Sequence, residues 1–557
     1  MKNDKFETLK WILKNSSFAL WRIAFLSVCA VLVSYISVRF ALVSKNLLDA
    51  ATGQSGNIWD SVKMLVVLVI LQLVIQIVYT LVHLHTENEL KNRLSRNLFK
   101  CLLGKKWQKL SSYHSGELMN RINTDTGIVT ANVMSIVPNG FSFVSKIVLG
   151  FIALYSLDKS FALIFLVICP FIMIVARIYS KKIKPLHKEC LARAGKTQAF
   201  MLESLQNILV IKSFGVYDRI SAIALKLQKD HLKKVMKRGY LSIFANILFF
   251  ISLTIGYYFA VGWCAYKISL GLMTVGTFTA IIQLVGQVQT PFKSLASIVP
   301  QIYETSASCE RIRELESIED EKTEYQYDDF QHIYNKMESI KINGVSFAYD
   351  EEPILKDASI DIKKNTLTTI SGTSGIGKST LMKMMLGILE PSEGSVTISC
   401  EDGEEYKTDA SLRPLFAYVP QGNMVLSGSI RSNISFLSDT TDDDKIIEAA
   451  KVACIYDTIA SLEDGLDTVL GEGGSGLSEG QIQRLSVARA ICSDAPIILL
   501  DEATSALDEE TEKKMLSNIK ALDNRTCIII SHKECVLHMS DSVLSIDEGK
   551  IYQKDCL

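Results

Sequence analysis

The first half of the chain alternates long apolar runs with long basic segments. A helix needs roughly 20 apolar residues to cross a bilayer. Six runs are about that long, at residues 17–43, 58–84, 136–156, 161–179, 241–266 and 275–299. Glutamines interrupt the last run and make it the weakest of the six. The pattern predicts six membrane-spanning helices. The alternative, core helices of a large soluble domain, would require all six runs to be buried within half a chain.

The basic residues predict which side of the membrane each connection faces. They cluster from Lys91 to Arg121 and from Lys181 to Arg238, whereas the third and fourth runs are joined by the short "SLDK". An excess of Lys and Arg marks the cytoplasmic side. We therefore expect the N-terminus, both basic segments and the second half of the chain to be cytoplasmic. The basic segments keep a helical periodicity, so runs two to five should continue as helices beyond the bilayer.

A different pattern begins near Ile340. Short β-rich runs such as "IKINGVSFAYD" are broken by Gly, Asn and Asp, and strand–loop–helix alternation follows. This is typical of an α/β domain with a largely parallel sheet. The sequence thus predicts an all-α transmembrane domain at 1–315, a polar linker at 316–337 and an α/β domain at 338–557.

Composition agrees with this division. The chain has 557 residues, enough for several domains, and 48 % of them are hydrophobic. Its formal net charge of −1 gives no global signal for nucleic acid, and we expect no such partner. None of the twelve cysteines forms a C-x-x-C pair, so we expect reduced structural thiols rather than a zinc or redox site.

The stretch "GTSGIGKST" at residues 372–380 matches the phosphate-loop pattern G-x-x-x-x-G-K-[ST]. It lies between the apolar "LTTIS" and the helical "TLMKMMLGIL", which is the context that the pattern requires and which a Gly-rich turn alone would lack. Lys378 would contact the β- and γ-phosphates, and the Ser379 hydroxyl would ligate Mg²⁺. The candidate nucleotide-binding residues of this loop are Gly372, Thr373, Ser374, Gly375, Gly377, Lys378, Ser379 and Thr380.

An acidic motif follows in "APIILLDEATSALD", at residues 495–508. Its apolar part predicts a buried strand that ends in two acids. Asp501 is placed to help hold Mg²⁺, and Glu502 to orient and polarise an attacking water. The alternative, a strand with an acidic turn, does not account for the phosphate loop in the same domain.

Three single residues are candidates for the nucleotide site because of their positions in the sequence. His532 follows the apolar strand "CIIIS", so its side chain could point at the γ-phosphate. Gln421 follows "AYVP" and could reach Mg²⁺ or the water. Tyr349 lies upstream of the phosphate loop, where an aromatic ring could stack on adenine. A lone His or Tyr is usually structural.

A second glycine-containing stretch, "GSGLSEGQ", also precedes a helical pattern. Ser478 offers a hydroxyl group, Gly480 allows close approach of the backbone, and the helix N-terminus adds positive potential. With Gln481, these residues form a second candidate phosphate contact.

In this order the motifs resemble the nucleotide-binding domain of ABC transporters. The resemblance covers Tyr349, the phosphate loop, Gln421, "LSEGQ", "ILLDE", "SALD" and His532. The first half resembles the six-helix domain of ABC exporters, with "SGELMNRINTDTGIV" and "ESLQNILVIKSFGVYDR" as the first and second cytoplasmic loops. The resemblance implies a multidomain protein of a bacterial plasma membrane, whose P-loop NTPase domain hydrolyses ATP with Mg²⁺ in a dimer of half-transporters. It also places Asp508 of "SALD" among the nucleotide-binding residues.

The stretch "LSEGQ" at residues 477–481 corresponds to the signature loop of that family. In the family this loop completes an ATP site on the opposing subunit. Ser478, Gly480 and Gln481 of one chain are therefore expected to face the phosphate loop of another. The family usually has Gly where this chain has Glu479, and we expect that carboxylate to point away from the phosphates. Both a homodimer and pairing with a different half-transporter remain open. Since Glu502 is intact, the chain's own site should be hydrolytic in either case.

A few further residues are candidates for coupling the domains and for binding substrate. The resemblance suggests Glu472, in "TVLGEGGSG", as a contact with the cytoplasmic helices. Lys146 lies within the third apolar run, where it could face an anionic cargo, pair with a polar group or lie near an interface. Gln283 and Gln287 share a helix face, so they could line a pathway or hydrogen-bond between helices.

We favour ATP-driven export of an amphipathic, peptide-like or drug- or lipid-like substrate. An exporter-like importer of metal-chelate complexes is one alternative. An ATP-gated channel is a second, although the intact Glu502 opposes it. A soluble ABC ATPase of DNA repair or translation is a third, and the six apolar runs oppose it.

Overall fold

The computed structural model describes residues 2–53, 57–321, 323, 330–349, 352–422, 425–437 and 442–554. The chain forms two compact units. One comprises Met1–Leu103 and Tyr113–Ser317, and the other comprises Gly104–Ser112 and Ile318–Leu557.

The first unit is helical, and its main helices are longer than a bilayer is thick. Helix α3 (Ile58–Leu103) has 46 residues and helix α9 (Tyr217–Ser269) has 53. At ~1.5 Å per residue they are about 69 and 80 Å long, whereas the bilayer hydrocarbon is about 30 Å thick. Both helices continue well past the apolar runs at 58–84 and 241–266. The helices up to residue 316 are α1 (Lys2–Asn15), α2 (Leu20–Ala51), α3 (Ile58–Leu103), α4 (Trp107–Leu110), α5 (Ser115–Asn120), α6 (Thr126–Leu157), α7 (Lys159–Gln206), α8 (Ile208–Ser213), α9 (Tyr217–Ser269) and α10 (Val275–Glu316).

Four helical segments among the described residues are long and apolar enough to cross a membrane. They are Ser17–Ala51, Ile58–Leu103, Ser115–Leu157 and Tyr217–Ser269, and they contain the first, second, third and fifth predicted spans. The other two, at 161–179 and 275–299, lie within the continuous helices α7 and α10. Part of their side chains falls outside the described residues, so six spans remain a prediction.

Helices α2, α6 and α10 pack on one another, and α7 packs mainly against α9. Helices α6 and α10 approach closely at Gly150, where a Cβ atom would lie 2.5 Å from Cγ2 of Val288. Leu154 and Leu284 are fully buried in the same core. Three of the predicted spans are thereby joined in one bundle.

Much of the apolar surface of the long helices is uncovered within the chain. In the most apolar window of α3 only 6 % of the residues are buried. Val66, Ile70 and Leu73 on that helix are 52–60 % exposed. Exposed apolar surface of this extent marks a membrane or protein contact, and its place on span-length helices agrees with a membrane protein.

The second unit is built on β-sheets. Its strands are β1 (Met337–Tyr349), β2 (Glu352–Lys363), β3 (Leu367–Ser371), β4 (Glu393–Cys400), β5 (Glu405–Lys407), β6 (Phe416–Val419), β7 (Gly428–Ser429), β8 (Val469–Leu470), β9 (Ile497–Asp501), β10 (Thr526–Ile530), β11 (Ser542–Asp547) and β12 (Lys550–Lys554). Its further helices are α11 (Phe330–Lys336), α12 (Lys378–Met385), α13 (Ile430–Ile434), α14 (Asp443–Val452), α15 (Tyr456–Ala460), α16 (Glu479–Cys492), α17 (Glu509–Lys520) and α18 (Glu534–Met539).

A six-stranded sheet in the order β12-β11-β3-β10-β9-β6 forms the centre of this unit, beside an antiparallel sheet in the order β2-β1-β4-β5. Strands β11, β3, β10, β9 and β6 run parallel to one another, with Ile530 opposite Asp501 and Val419 opposite Leu500, whereas the edge strand β12 is antiparallel to β11. The strands β9 and β10 are buried throughout, as their unbroken apolar sequences predict. Because parallel strands end at the same edge, the loops after β3, β6, β9 and β10 open side by side.

The segment Gly104–Ser112, which follows α3, belongs to the second unit. Lys105 pairs with Asp320 in a short antiparallel bridge, and their side chains form an ion pair of 2.8 Å. The backbone N–H of Lys106 donates to the carbonyl of Glu319 at 3.0 Å, and that of Glu321 donates to Gly104 at 2.9 Å. The predicted linker at 316–337 remains a prediction, since several of its residues lie outside the described part.

Candidate nucleotide site

The phosphate loop joins β3 to α12, as the motif predicts. Gly372, Gly375 and Gly377 have φ angles of 145°, 84° and 110°, a region that side chains avoid. A Cβ atom at Gly377 would also lie 2.5 Å from Cγ2 of Ile354. Gly377 and Thr380 are buried at the start of α12, whereas Thr373, Ser374 and Gly375 are exposed. The glycines thus allow the chain to curl in front of a helix N-terminus.

Lys378 lies inside this curl and is only 5 % exposed. Its amine donates hydrogen bonds to the carbonyl oxygens of Gly372 at 2.6 Å and Thr373 at 3.0 Å. It also lies 3.0 Å from Nε2 of His532, where the ammonium is the donor. Burial lowers the pKa of Lys378, and the carboxylates of Glu502 and Asp501 oppose that effect. A cation is therefore held at the centre of the loop, in direct contact with the predicted histidine.

Asp501 ends β9 and is 1 % exposed. One carboxylate oxygen accepts from the Ser379 hydroxyl at 2.9 Å, and the other accepts from the Tyr418 hydroxyl at 2.9 Å. Carboxylate and hydroxyl oxygens are the ligands that Mg²⁺ prefers, so the donor set of Ser379 and Asp501 fits the predicted metal.

Tyr418 was not predicted from the sequence. Burial, with the nearby Asp501 carboxylate, raises the pKa of the Tyr418 hydroxyl well above its usual range. The group therefore stays protonated and donates to Asp501. Its position on β6, opposite Leu499 of β9, follows from strand pairing, and the only sequence signal was its closeness to Gln421 in "AYVPQ".

Glu502 and Gln421 meet across the loops that follow β9 and β6. The side-chain amide of Gln421 donates to Oε2 of Glu502 at 2.7 Å. Glu502 has a φ of 49°, a backbone conformation that costs about 1–3 kcal/mol in a residue other than glycine. Strain of this kind clusters at functional sites, and here it occurs in the predicted water-orienting acid.

Tyr349 lies at the end of β1 and is 42 % exposed. Its ring packs edge-on against that of Phe347, with 4.9 Å between the ring centres. An exposed, laterally supported ring is suited to stacking on a base, which is the role that the sequence predicts for Tyr349.

The signature residues form a second, local group at the start of α16. The backbone N–H of Gln481 donates to the Ser478 hydroxyl at 3.4 Å, and that of Ser478 donates to Oε1 of Gln481 at 2.8 Å. This reciprocal pair is a capping box. At Gly480 a Cβ atom would lie 3.1 Å from the carbonyl oxygen of Ala506, so a side chain there would crowd the next loop. Glu479 is exposed.

Asp508 caps α17 with a similar bond, because its carboxylate accepts from the backbone N–H of Thr511 at 2.9 Å.

Six of the predicted site residues are joined in pairs by hydrogen bonds between the loops at one sheet edge. The pairs are Lys378 with His532, Ser379 with Asp501, and Gln421 with Glu502. By contrast, the capping bonds of Ser478, Gln481 and Asp508 are local to their own helices.

The candidate substrate residues have different surroundings. The Gln287 amide donates from α10 to the carbonyl of Ser37 on α2 at 2.8 Å, and its Oε1 has no partner among the described atoms. Hydrogen bonding between helices, one of the two readings of Gln287, is thus present. Gln283 and Lys146 are partly exposed. The side chain of Glu472 lies outside the described residues.

Comparison with known proteins gives matches to both halves of the chain. Residues 23–292 match the ABC transporter transmembrane region, and residues 355–505 match the ABC transporter nucleotide-binding family. The chain belongs to the ABC transporter family. Its phosphate loop and Asp501–Glu502 pair both fall within the second matched range.

Several curated ABC transporters are similar to this chain. It is 32 % identical over 400 residues to the lactococcin-G-processing and transport ATP-binding protein of Lactococcus lactis subsp. lactis, a match that covers 70 % of the chain and 55 % of that protein. It is 27 % identical over 532 residues to an ATP-dependent lipid A-core flippase of Photorhabdus laumondii, covering 92 % and 88 %. The chain thus spans about half of the first relative and most of the second.

A solved structure shows the same fold over almost the whole chain. A bacterial Atm1-family ABC exporter with ATP bound superimposes with a TM-score of 0.83 at 24 % identity, covering 96 % of this chain and 94 % of that one. The predicted fold class, a helical transmembrane domain joined to an α/β nucleotide-binding domain, is confirmed for this ABC transporter.

Proposed function

We propose that the chain is a half-transporter that uses ATP hydrolysis to export an amphipathic substrate across a membrane. The observation that carries this proposal is the convergence of Lys378, Asp501, Glu502, Gln421 and His532 at one sheet edge. These are the groups that bind phosphates, hold a metal and orient a water in P-loop ATPases. Their union with span-length helices in one chain supports transport as the use of the hydrolysis.

In this mechanism the chain's own residues bind and orient the nucleotide. The phosphate-loop N–H groups and Lys378 hold the phosphates, and His532, in contact with Lys378, lies beside the same groups. Ser379 and Asp501 would hold Mg²⁺, with Gln421 as a further candidate, and a bound ion would supply positive charge against the phosphate oxygens. Tyr418 keeps Asp501 in place by binding its second oxygen.

Glu502 is the residue that we assign to the attacking water. Its carboxylate accepts a hydrogen bond from Gln421 at 2.7 Å, so its orientation is set before a substrate arrives. A carboxylate can align the water and accept its proton as the water oxygen bonds to the γ-phosphorus and the bond from that phosphorus to the bridging oxygen of the departing ADP breaks. Gln421 then acts beside it by fixing Glu502 and by contacting the metal or the water.

A second chain supplies the rest of each site. The start of α16 presents Ser478 and Gly480 at a helix N-terminus, an arrangement that favours anions. The capping bonds of Ser478 and Gln481 lie within their own helix, which supports a role of this helix start toward a neighbour's nucleotide. We propose a homodimer, although Glu479 leaves open a heterodimer in which this signature contributes to a weakened site.

The relatives support the proposed direction and class of substrate. One is named for the processing and transport of lactococcin G, and another is named as an ATP-dependent lipid A-core flippase. Export of a peptide-like or lipid-like amphiphile is therefore the function that we propose for this chain.

The test is Glu502→Gln in the purified full chain in lipid. We expect ATPase turnover to fall by about 100-fold or more, the scale of a lost general base, while ATP remains bound after washing. The amide can still bond to Gln421, so folding should be preserved. Glu510→Gln, an exposed change on α17, is the matched control and should retain wild-type turnover. Undiminished hydrolysis by Glu502→Gln would refute the assigned role.

A further inference from the structure

The loop after β9, residues 504–508, is held by side chains from two different elements. One is Lys533, which directly follows His532, and the other is Gln483 on α16. We refer to residues 504–508 as the bridging loop, because its two holders lie beside different predicted site residues.

Lys533 binds both ends of the bridging loop. Its amine donates to the carbonyl oxygens of Thr504 at 3.0 Å and Leu507 at 2.8 Å. It also forms an ion pair of 3.1 Å with Oε2 of Glu512 on α17. Three acceptors thus surround the ammonium, and none of them belongs to the phosphate loop.

Glu512 makes this arrangement rigid. Its side chain is fully buried, and the Cys535 thiol also donates to Oε2 at 3.6 Å. Its other oxygen has no hydrogen-bond partner among the described atoms. A buried carboxylate that loses its cation is strongly destabilised, so the Lys533 ammonium is held in place by electrostatics as well as by hydrogen bonds.

Gln483 holds the bridging loop from the opposite side. Its amide donates to the Ser505 hydroxyl at 3.0 Å, and its carbonyl accepts from the backbone N–H of Ala506 at 3.0 Å. Gln483 is 8 % exposed and lies little more than one helical turn after Ser478. The bridging loop therefore connects the residue after His532 to the start of α16.

We propose that Lys533 is a positioning residue that sets the place of His532 relative to the bridging loop and the start of α16. This inference rests on the proposed function, in which His532 serves the nucleotide of its own chain and Ser478 that of the neighbour. Among the described residues, Lys533 bonds to the bridging loop and to Glu512 rather than to the phosphate loop. Its loss should therefore displace His532 and slow hydrolysis while nucleotide affinity is kept.

The experiment measures kcat, KM and the Kd for MgATP in the full chain reconstituted in lipid. Lys533→Met is expected to lower kcat by about tenfold or more, the scale of lost charge-assisted hydrogen bonds, with KM and Kd changed less than about threefold. Lys533→Arg keeps the charge and the donors and should restore most of kcat. Lys513→Met removes an exposed ion pair to Glu509 on α17 and should match the wild type.

The double variant Lys533→Met with Glu512→Gln separates positioning from stability. It removes the buried unpaired charge, so it should fold even if Lys533→Met does not, yet it still lacks the bonds to the bridging loop. A low kcat in the double variant supports the proposal. A kcat within about twofold of the wild type, or a loss confined to KM and Kd, overturns it. Because Glu502→Gln is assayed separately, an inactive Glu502→Gln beside a normal Lys533→Met would overturn this inference alone.

Discussion

At the scale of single residues, two hydroxyl groups fix the orientation of the carboxylate that is proposed to hold the metal. Both oxygens of the buried Asp501 accept from hydroxyls, one from the phosphate loop and one from Tyr418. Groups that bind a metal ligand from behind set its orientation, and their loss typically weakens metal binding by about 10–100-fold. Tyr418 therefore contributes to the nucleotide site indirectly, by orienting the carboxylate of Asp501.

We predict that Tyr418→Phe raises the Mg²⁺ concentration needed for half-maximal ATPase activity by about tenfold. The ring is kept, so packing on β6 should survive, whereas one oxygen of Asp501 loses its donor. A Mg²⁺ titration of turnover in the lipid-reconstituted chain checks this. Tyr552→Phe, at a tyrosine that is 52 % exposed on β12, should give the wild-type curve, and an unchanged curve for Tyr418→Phe would contradict the assignment.

At the scale of elements, a π-helical turn joins α5 to α6 and binds the end of α10. This turn, Arg121–Asp125, contains a buried arginine and a buried aspartate. Asp125 accepts from the Ser308 hydroxyl at 2.9 Å and from Nε of Arg311 at 2.8 Å. Arg121 donates to Glu314 at 2.8 Å and to the carbonyl of Arg311 at 2.9 Å. Such turns are frequent at functional sites, and this one ties the predicted first cytoplasmic loop to the last helix of the first unit.

We predict that Asp125→Asn destabilises the first unit, because it removes a buried charge that accepts several hydrogen bonds. A hydrogen bond to a charged group contributes about 1.5–3 kcal/mol, enough to lower the melting temperature by several degrees. Thermal unfolding of the purified protein in detergent provides the measurement. Asp230→Asn, at an aspartate whose ion pair to Lys233 spans 3.8 Å at the surface, should leave Tm unchanged. Equal Tm values for both variants would show that the turn is not fastened by Asp125.

At the scale of the whole molecule, the two nucleotide motifs of one chain are proposed to serve different ATP molecules. A dimer then has two composite sites, each with the phosphate loop of one chain and the signature loop of the other. If each site is composite, a chain with a defective phosphate loop and a chain with a defective signature loop can together form one intact site. If each site were formed within one chain, they could not.

We predict that Lys378→Ala and Ser478→Arg chains are each inactive alone and regain ATPase activity when they are co-expressed. The mixed dimer has one composite site with both defects and one with neither. Co-purification through two different affinity tags, followed by an ATPase assay, measures the recovery. A mixture of wild-type chain with the Lys378→Ala and Glu502→Gln double variant provides a reference for dimers with one working site. Inactivity of the co-expressed pair, beside an active reference, would refute the shared homodimeric site.

Much of this site could be predicted from the sequence because its residues directly follow buried strands. Asp501, Gln421 and His532 each come at or just after an apolar run, and parallel strands bring such positions to one edge. Tyr418 and Lys533 could not be found in the same way. The role of Tyr418 depends on β6 pairing with β9, and that of Lys533 on the packing of α17, which no local pattern encodes. Gln287 shows a further limit, since its spacing allowed two roles and only packing revealed a bond to α2.

The segment after α3 alters how the second unit can be separated from the rest. Residues 104–112 belong to that unit and pair with 319–321, so the polypeptide enters it twice. A recombinant fragment that starts at residue 318 would lack this stretch and would expose the backbone groups of Glu319 and Glu321 that it covers. An isolated second unit would keep these backbone hydrogen bonds if residues 104–112 were supplied as a fused or added peptide.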